Sequence, residues 1–351
     1  MKKYKSVRYF NNRVSFLLNY HSIFVFIALL VLTVAVFIIS IGLGELKINP
    51  LRVLQVIFGG GSDRDRLIIQ SFRMPRSLIA LLVGMGLAVA GGILQGIIRN
   101  PLASPDIIGI TGGASVAVVC FLAIFSDASH SLTVSIKWMP IAAFLGATLT
   151  AYLVYFLSWK KGVSPIRLVL IGIGIATLMK SLTTLMITLG PIYHATQVNI
   201  WITGSVSAST WENVSILAPW ISLFILIVII YARNINIQEL GDDVATGLGG
   251  SVQKQRFTLL TISTALIGGS VAFSGGISFV GLMAPHMARR LVGSSYGALL
   301  PVSALLGGIL VMLADLFGRT FFSPLEIPAG VFTASIGAPY FIYLLVKSRK
   351  K

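Results

Sequence analysis

The sequence from Arg73 to Ser115, RMPRSLIALLVGMGLAVAGGILQGIIRNPLASPDIIGITGGAS, decides the fold class of this chain. It contains an apolar run of about 20 residues, enough to cross a hydrocarbon core of ~30 Å as a helix. Glycines recur through the run at positions 84, 86, 91, 92 and 96. Glycines let membrane helices approach at backbone distance, where no hydrophobic force draws helices together. The stretch therefore predicts a closely packed transmembrane helix that ends in a polar turn, RNPLASP.

The composition of the whole chain agrees with a membrane protein. Hydrophobic residues make up 56% and charged residues 11% of the 351 residues, whereas soluble domains carry about 25% charged residues. The net charge of +16 comes from lysines and arginines in short segments between apolar runs. That pattern orients a chain in a bilayer and argues against nucleic-acid binding. The single cysteine, Cys120, lies in an apolar run and excludes an intramolecular disulfide.

Ten apolar segments predict an all-α, polytopic integral membrane protein with about ten transmembrane helices. They lie near residues 22–43, 77–98, 107–125, 139–158, 168–189, 214–232, 257–275, 278–292, 297–317 and 329–346. We expect a single transmembrane domain over 22–347, preceded by a basic cytoplasmic segment, 1–21, and followed by a short tail, 348–351. With the N-terminus in the cytoplasm, the inner segments hold 18 basic residues and the outer segments hold 8. This excess predicts that both termini are cytoplasmic.

Two segments depart from the pattern of simple spans. Residues 190–212, GPIYHATQVNIWITGSVSASTWE, are too polar for a span and too apolar for a loop, which predicts a short helix that re-enters from the outer face. Residues 268–292 are divided by glycines and Pro285 into two pieces shorter than a full crossing. Irregular backbone at membrane depth is tolerated where protein buries it or water reaches it. Such interrupted segments point to a transport pathway.

The turn after the second span has a partial explanation in helix capping. Ser104 is expected to cap a new helix, with Pro105 in its first position and Asp106 facing its positive end. Helix capping explains these three residues, but it does not explain why the complete sequence RNPLASP follows the second span.

Several motifs together resemble a known family over about residues 40–347. They are, in chain order, R-x-P-R at 73–76, RNPLASP at 99–105, GISFVGLMAPHMAR at 276–289, Leu300-Pro301, Ala314-Asp315 with Arg319, EIPAG at 326–330 and IGAP at 336–339. In this order and spacing the chain resembles the permease subunit of the iron-siderophore and cobalamin class of ABC importers, the FecCD/BtuC-like family.

The resemblance implies a permease in a bacterial cell membrane, working with a second permease subunit, two ATPase subunits and an extracytoplasmic substrate-binding protein. For the second permease subunit we expect a related chain rather than an identical one. The sequence has no GxxxxGK[ST] motif to cradle nucleotide phosphates. ATP and Mg²⁺ are therefore expected on the separate ATPase, and this chain is expected to hold no cofactor, metal or catalytic residue.

The segment between the sixth and seventh spans is the predicted contact with the ATPase. Leu240, Val244 and Leu248 are spaced i, i+4 and i+8 on one helix face, with acids near the start and glycines near the end. The pattern predicts a cytoplasmic amphipathic helix at 238–249. A linker on the membrane surface is the alternative, although three acids make it a poor binder of anionic lipid. The resemblance implies a coupling helix, with these contact residues: Glu239, Leu240, Gly241, Val244, Ala245, Leu248 and Gly249.

Arg73, Arg76 and Arg319 lie on the predicted outer side, where few cations are expected. The resemblance implies that arginines at these positions meet acidic side chains of the binding protein, so these three are the docking candidates. For Arg319 an i,i+4 ion pair with Asp315 is the alternative.

Gln95 and Lys180 are polar side chains within spans and are the candidate pathway residues. Gln95 is expected either to bond a neighbouring helix or to line water. Lys180 is costly in a span unless it is paired or hydrated, so it either faces the pathway and attracts an anionic ferric chelate, or it snorkels or lies among carbonyl groups. His194 and His286 are interpreted as loop residues rather than metal ligands, because no second soft ligand lies at chelating spacing.

Together these patterns predict a permease that moves a ferric siderophore from a binding protein into the cytoplasm. Cobalamin or haem is the alternative cargo. An ion-coupled secondary transporter and a membrane-embedded enzyme are further alternatives, but the sequence shows neither paired intramembrane carboxylates nor a convergent catalytic group.

Overall fold

The computed structural model describes residues 4–9, 14–44, 46–125, 133–189 and 195–348. A short antiparallel hairpin, β1 (Tyr4–Tyr9) and β2 (Val14–Asn19), precedes the helices. β2 runs directly into α1 (Tyr20–Gly42). The Asn19 side chain accepts a 3.0 Å hydrogen bond from the backbone N–H of His21, which caps α1 and fixes where the helix begins.

Fourteen further helices follow α1 in the described part of the chain, with two short turns of other helical type. In chain order they are α2 (Pro50–Ile57), α3 (Asp63–Arg66), a π-helical turn (Leu67–Arg73), α4 (Met74–Ile98), α5 (Pro105–Ile108), α6 (Ile110–Ile124), a 3₁₀ turn (Ile136–Trp138), α7 (Met139–Leu157), α8 (Pro165–Leu189), α9 (Ala195–Thr203), α10 (Trp211–Glu239), α11 (Asp242–Gly247), α12 (Val252–Ser274), α13 (Val280–Val292), α14 (Tyr296–Thr320) and α15 (Ala329–Ser348).

Each of the ten predicted spans corresponds to a helix. Within the described residues, seven helices are long and apolar enough to cross a membrane, and α6 and the apolar part of α15 are shorter. The tenth, α13, has only 13 residues, in line with the predicted break at the glycines before it. Pro285 lies inside α13 and does not divide it, and residues 268–274 belong to the full-length helix α12. α9 is the predicted short helix of the 190–212 segment. The predicted all-α fold of the membrane domain is confirmed, and the hairpin of β1 and β2 precedes that domain.

α4 lies at the centre of the bundle and is largely buried, packed between α10, α12, α13 and α14. Its glycines make these close contacts possible: a Cβ at Gly91 would collide with the carbonyl of Gly281 in α13, and a Cβ at Gly84 would collide with the carbonyl of Gly307 in α14. Because membrane helices gain little from hydrophobic association, such close backbone packing is a main source of their stability. The opening stretch thus forms the core that the sequence predicted.

The bundle has two ends, which we name the terminal end and the distal end. At the terminal end, the Nε2 atom of His21 at the start of α1 lies 3.0 Å from the carbonyl oxygen of Leu291 at the end of α13. Tyr343, in the last turns of α15, bonds Arg290 at the same end. The distal end holds the turn after α1 and the ion pair between Lys137 and Glu212, at 2.7 Å. The helical bundle therefore begins and finishes at one end.

In the turn after α4, the residues predicted to cap the next helix lie at the expected positions, but their hydrogen bonds differ from the prediction. Ser104 occupies the N-cap position of α5, yet its side chain makes no cap hydrogen bond. Asp106 accepts a 2.8 Å hydrogen bond from the Thr111 hydroxyl and another from the backbone N–H of Phe279. The carboxylate therefore ties the start of α6 to the start of α13, instead of merely facing a helix end.

Candidate functional site

The first candidate element is α11, a surface helix at the terminal end. It is shorter than the predicted helix at 238–249, because Gly241 adopts a φ of +117° and separates it from α10. Its flanking apolar side chains are turned outward: Leu240, Val244 and Leu248 are 64%, 47% and 65% exposed. Ala245 alone in the helix is buried. The apolar face is thus open at the surface of the described chain and is not packed against its other helices.

Ion pairs hold α11 against two spanning helices. Asp242, its first residue, accepts a 3.0 Å hydrogen bond from Nη2 of Arg256 in α12 and pairs with Nη2 of Arg99 at the end of α4. Arg99 also donates through Nε to the carbonyl oxygen of Gln238, at 2.7 Å. Desolvation alone would raise the pKa of Asp242, but the neighbouring guanidinium groups of Arg256 and Arg99 outweigh it and lower the pKa. Asp242 is therefore ionised at neutral pH.

Arg256 connects this network to the loop between α7 and α8. The guanidinium is almost completely buried, and its Nη1 donates to the carbonyl oxygen of Val163 in that loop. The backbone N–H of Val163 in turn donates to Oε1 of Gln253, at 3.0 Å. One buried side chain therefore links α11 to the start of α8.

Glu239 has a different role from the predicted one. It ends α10, where its Oε1 accepts hydrogen bonds from the Tyr296 hydroxyl, at 3.0 Å, and from Nη1 of Arg289, at 3.3 Å. These bonds anchor α10 to α13 and α14. Because its carboxylate is engaged inside the chain, the structure does not favour Glu239 as a contact residue on the exposed face.

The second candidate element is a cluster of three arginines at the distal end. Arg76 donates through Nε and Nη2 to Asp315, at 2.9–3.1 Å, and through Nη1 to Glu326, at 3.0 Å. Asp315 also lies 3.5 Å from Nε of Arg319, which is the i,i+4 pair expected from the sequence. With Arg73, the cluster holds three cations against two anions and keeps a net charge of +1.

Arg73 and Arg319 bind carbonyl oxygens at the end of α1. Arg73 donates to Ile41, Gly42 and Leu46, at 2.6–3.1 Å. Arg319 donates through Nη1 to Leu43, at 2.7 Å, and through Nη2 to the carbonyl of Ser40. The last carbonyls of a helix have no partner in the helix, and α1 has no basic residue in its own last turn. Two distant arginines therefore cap α1, so the expectation that Arg319 meets a partner directly is not favoured: its side chain is buried.

The third candidate element is the exposed face of α8, which carries Lys180. Lys180 is exposed, and no described acidic residue pairs with it. Four further polar residues of the same helix are exposed on nearby turns: Thr177, Ser181, Thr184 and Thr188. Three of their hydroxyls bond the carbonyl four residues earlier. Lys180 makes this stripe unfavourable against lipid, because a cation at membrane depth is costly unless it is paired or hydrated.

Gln95 does not belong to that face. Its side chain is buried, and Nε2 donates a 3.4 Å hydrogen bond to the carbonyl oxygen of Leu282. Of the two alternatives, the structure supports the bond to a neighbouring helix, and Gln95 is a contact between α4 and α13 and not a pathway residue in this conformation.

The two histidines singled out from the sequence, His194 and His286, are predicted to be loop residues. His286 lies in α13 and not in a loop, with its ring 5.9 Å from that of Tyr340. His194 lies outside the described residues. Among the residues that the structure describes, no group of three or more His, Cys, Asp or Glu side chains could hold a metal ion.

Comparisons with known proteins agree with this architecture. The model of the FecCD transport family matches residues 32–347. The "Probable siderophore transport system permease protein YfhA" of Bacillus subtilis is 58% identical over 325 residues, covering 93% of this chain and 95% of the relative. The iron(3+)-hydroxamate import system permease protein FhuG of the same organism is 46% identical, over 90% of this chain and 95% of its own length.

A solved structure has the same fold. It is described as an inward-facing conformation of a metal-chelate type ABC transporter, and it matches with a TM-score of 0.80 and 31% sequence identity. The match covers 92% of this chain and 99% of the other. The relatives are transport permeases and not enzymes. The chain is thus a multi-pass membrane protein that belongs to the FecCD transport family.

Proposed function

We propose that this chain is the permease subunit of an ATP-driven importer for a ferric siderophore or a related anionic iron chelate. The observation that carries the proposal is the exposed apolar face of α11 in a member of this family, held in place by the ion pairs of Asp242 with Arg256 and Arg99. The relatives named for siderophore and hydroxamate transport support an iron chelate as the cargo in preference to cobalamin or haem. ABC permeases of this family work with separate ATPase and substrate-binding partners.

The exposed face of α11 suits a groove on the ATPase. An amphipathic helix binds such a groove through apolar anchors on one side, and Leu240, Val244 and Leu248 supply them. Gly241 and Gly249 form the flanking turns with φ of +117° and +83°. Ala245 supports the helix from within and does not reach the partner.

Ion pairs and hydrogen bonds connect α11 to the transmembrane bundle, so a movement of α11 can be transmitted to other helices. Through Asp242 and Arg256 it is joined to the loop before α8, and through Asp242 and Arg99 it is joined to the end of the central helix α4. A shift of α11 driven by the ATPase would therefore act on α8 and α4 together, as a rigid-body change of access requires.

The polar stripe of α8 suits a water-filled pathway shared with a second permease subunit. In that position Lys180 would attract an anionic chelate. If the second subunit were an identical chain, a two-fold axis would bring two copies of Lys180 to one pathway, where like charges repel. We therefore infer a related chain rather than an identical one.

The distal arginine cluster suits docking of the binding protein. Arg76 is partly exposed, and Glu326, its partner through Nη1, is 50% exposed. An incoming carboxylate could replace Glu326 without disturbing the buried pair of Arg76 with Asp315. Arg73 and Arg319 would keep the α1 turn in place. This orientation puts the terminal end in the cytoplasm of a bacterial cell, in agreement with the excess of basic residues in the segments at that end.

Uptake by the reconstituted transporter tests the proposal. We expect ferric siderophore uptake to require ATP and the ATPase subunits and to survive a protonophore. Uptake that persists without the ATPase and collapses with the protonophore would instead identify an ion-coupled transporter. Titration of the binding protein with ferric chelates, cobalamin and haem separates the cargo assignments, because only the true cargo should bind and be transported.

For α11, Val244→Glu should abolish copurification of the ATPase. Thr246→Glu, on an exposed residue of the same helix outside the apolar face, is the matched control and should leave copurification intact.

A further inference from the structure

A pocket at the terminal end has no role in the functions described so far. It lies between the last turns of α7 and the first turns of α12 and has a volume of about 450 Å³. Its lining consists of Tyr155, Trp159, Gln253, Lys254, Phe257 and Thr258. The pocket is largely apolar, with polar groups concentrated at the first turn of α12.

Aromatic rings form a continuous wall on one side of the pocket. The ring of Phe257 stacks on Tyr152, at 5.9 Å between centroids, and meets Tyr155 edge-on, at 5.2 Å. Tyr155 is in turn 5.9 Å from Trp159, which is half-exposed. Trp and Tyr side chains are typical of the level where a membrane meets water. The pocket therefore lies at the boundary between the acyl chains and the lipid headgroups.

Lysines surround the polar side of the pocket. Lys254 lines it, and Lys160 and Lys161 follow Trp159 directly. The turn that carries them packs on the pocket, since Gly162 lies against the amide of Gln253. All three lysines are exposed, and none forms an ion pair with a described acidic residue.

The start of α12 adds to the positive potential. Its N-cap residue, Ser251, makes no side-chain cap hydrogen bond, and its first turn holds no acidic residue. The unpaired N–H groups of a helix N-terminus favour an anion. Asp242, the acid that pairs with Arg256 of α12, is also paired with Arg99, so its charge is offset.

We propose that the pocket between α7 and α12 binds one anionic phospholipid, with its phosphate on Lys160, Lys161 and Lys254 and its acyl chains along the aromatic wall. Basic pockets between spanning helices bind anionic headgroups in this way. A free phosphate would leave the apolar wall unused, because that wall offers an inorganic anion no contact. An acidic peptide would have to enter the headgroup layer. The lipid uses both halves of the pocket.

Bromine quenching of Trp159 tests the site. The assembled transporter is placed in phosphatidylcholine nanodiscs that contain a minor fraction of either phosphatidylglycerol or phosphatidylcholine with brominated acyl chains. The fluorescence of Trp159 is obtained by subtracting the fluorescence of the Trp159→Phe variant from that of the unsubstituted protein. The subtraction cancels the signal of the other tryptophans in the complex. We expect brominated phosphatidylglycerol to quench Trp159 at least about threefold more than brominated phosphatidylcholine, because three lysines select the anionic headgroup.

Charge removal gives the decisive comparison. In the triple variant Lys160→Gln, Lys161→Gln, Lys254→Gln, the two brominated lipids should quench the fluorescence of Trp159 equally. The matched variant Lys347→Gln, Lys350→Gln, Lys351→Gln removes the same charge from the C-terminal segment and should keep the preference. If the triple variant does not assemble, Lys254→Gln alone should still reduce the preference.

Each of three results would overturn the site. The first is equal quenching by the two lipids in the unsubstituted protein, and the second is a preference that survives in the triple variant. The third is loss of the preference on adding inorganic phosphate, which would assign the lysines to a free anion and not to a lipid.

Discussion

Arg256 and Asp242 form an ion pair in which the two partners lie in very different environments. Nη2 of Arg256 is 3.0 Å from Oδ1 of Asp242, and the arginine side chain is 1% exposed whereas the aspartate is 42% exposed. A buried guanidinium needs its counter-charge, because an unpaired buried ion is strongly destabilising. The position of the surface helix α11 is therefore set by a charge inside the bundle.

Asp242→Asn should uncouple ATP hydrolysis from transport. The substitution leaves Arg256 and Arg99 without their shared carboxylate, at a cost of about 3 kcal/mol, and frees α11 from α12. We expect the ATPase to stay bound through the apolar face and to hydrolyse ATP while uptake per ATP falls at least several-fold. The ratio of uptake to hydrolysis in proteoliposomes measures this.

Asp243→Asn provides the control for that experiment. It removes the same charge from the next residue, which is exposed and pairs with no described cation. It should leave the ratio unchanged. An equal loss in both variants would show that the net charge of α11, and not the pair with Arg256, matters.

Arg76→Ala and Glu326→Gln should change binding-protein affinity in opposite directions. Glu326 occupies one edge of the Arg76 guanidinium, at 3.0 Å, so its neutralisation leaves that edge free for a carboxylate of the partner. We expect a few-fold tighter complex for Glu326→Gln and at least a tenfold weaker one for Arg76→Ala, in the range of a charge-assisted hydrogen bond of about 1.5–3 kcal/mol. Both effects are measured as the affinity of the binding protein for each permease variant in nanodiscs. Two unchanged affinities would remove Arg76 from the docking surface.

Arg319→Ala should lower the stability of the folded protein. Arg319 donates hydrogen bonds to carbonyl oxygens at the end of α1 from 276 residues further along the chain, and its side chain is buried. Losing hydrogen bonds from a buried charge costs about 3 kcal/mol. A drop in the thermal unfolding temperature in detergent is the expected result, and a variant as stable as the unsubstituted protein would contradict the capping role.

The arginines illustrate which parts of this protein are readable from its sequence. The length of the apolar runs predicts the ten helices. The i,i+4 spacing predicts the outward face of α11 and the pair of Arg319 with Asp315. All of these features depend on residues that are close together in the chain. Other contacts join residues that lie 57 to 279 positions apart in the chain. They are the hydrogen bonds from Arg319 to carbonyl oxygens of α1, from Gln95 to Leu282 and from Tyr296 to Glu239. No local pattern specifies such pairs. One signal was available: α1 ends without a basic residue in its last turn, so its carbonyls needed donors from elsewhere.

Gly91→Ala should impair assembly of the bundle although it adds only a methyl group. The new Cβ would collide with the Gly281 carbonyl, and neither backbone can move without shifting α4 or α13. Overpacking of this kind costs about 1–3 kcal/mol. Gly297→Ala is the control, because that glycine has open space around its Cβ position and alanine is the better helix former by about 1 kcal/mol. Thermal stability should fall in the first variant and hold or rise in the second.

Lys180→Gln should reduce uptake selectively for negatively charged chelates. The glutamine keeps a polar side chain on the exposed stripe of α8, so the fold and the hydration of that face should be preserved while the charge is lost. A single cation in a pathway shielded from bulk water concentrates anions, and removal of such a charge lowers association by about tenfold. We therefore expect uptake of an anionic ferric chelate to fall by that order, with little change for a neutral ferric chelate of similar size delivered by the same binding protein. Initial uptake rates for the two chelates, measured side by side with complex stability, decide the matter: if both rates match the unsubstituted protein, Lys180 does not face the pathway.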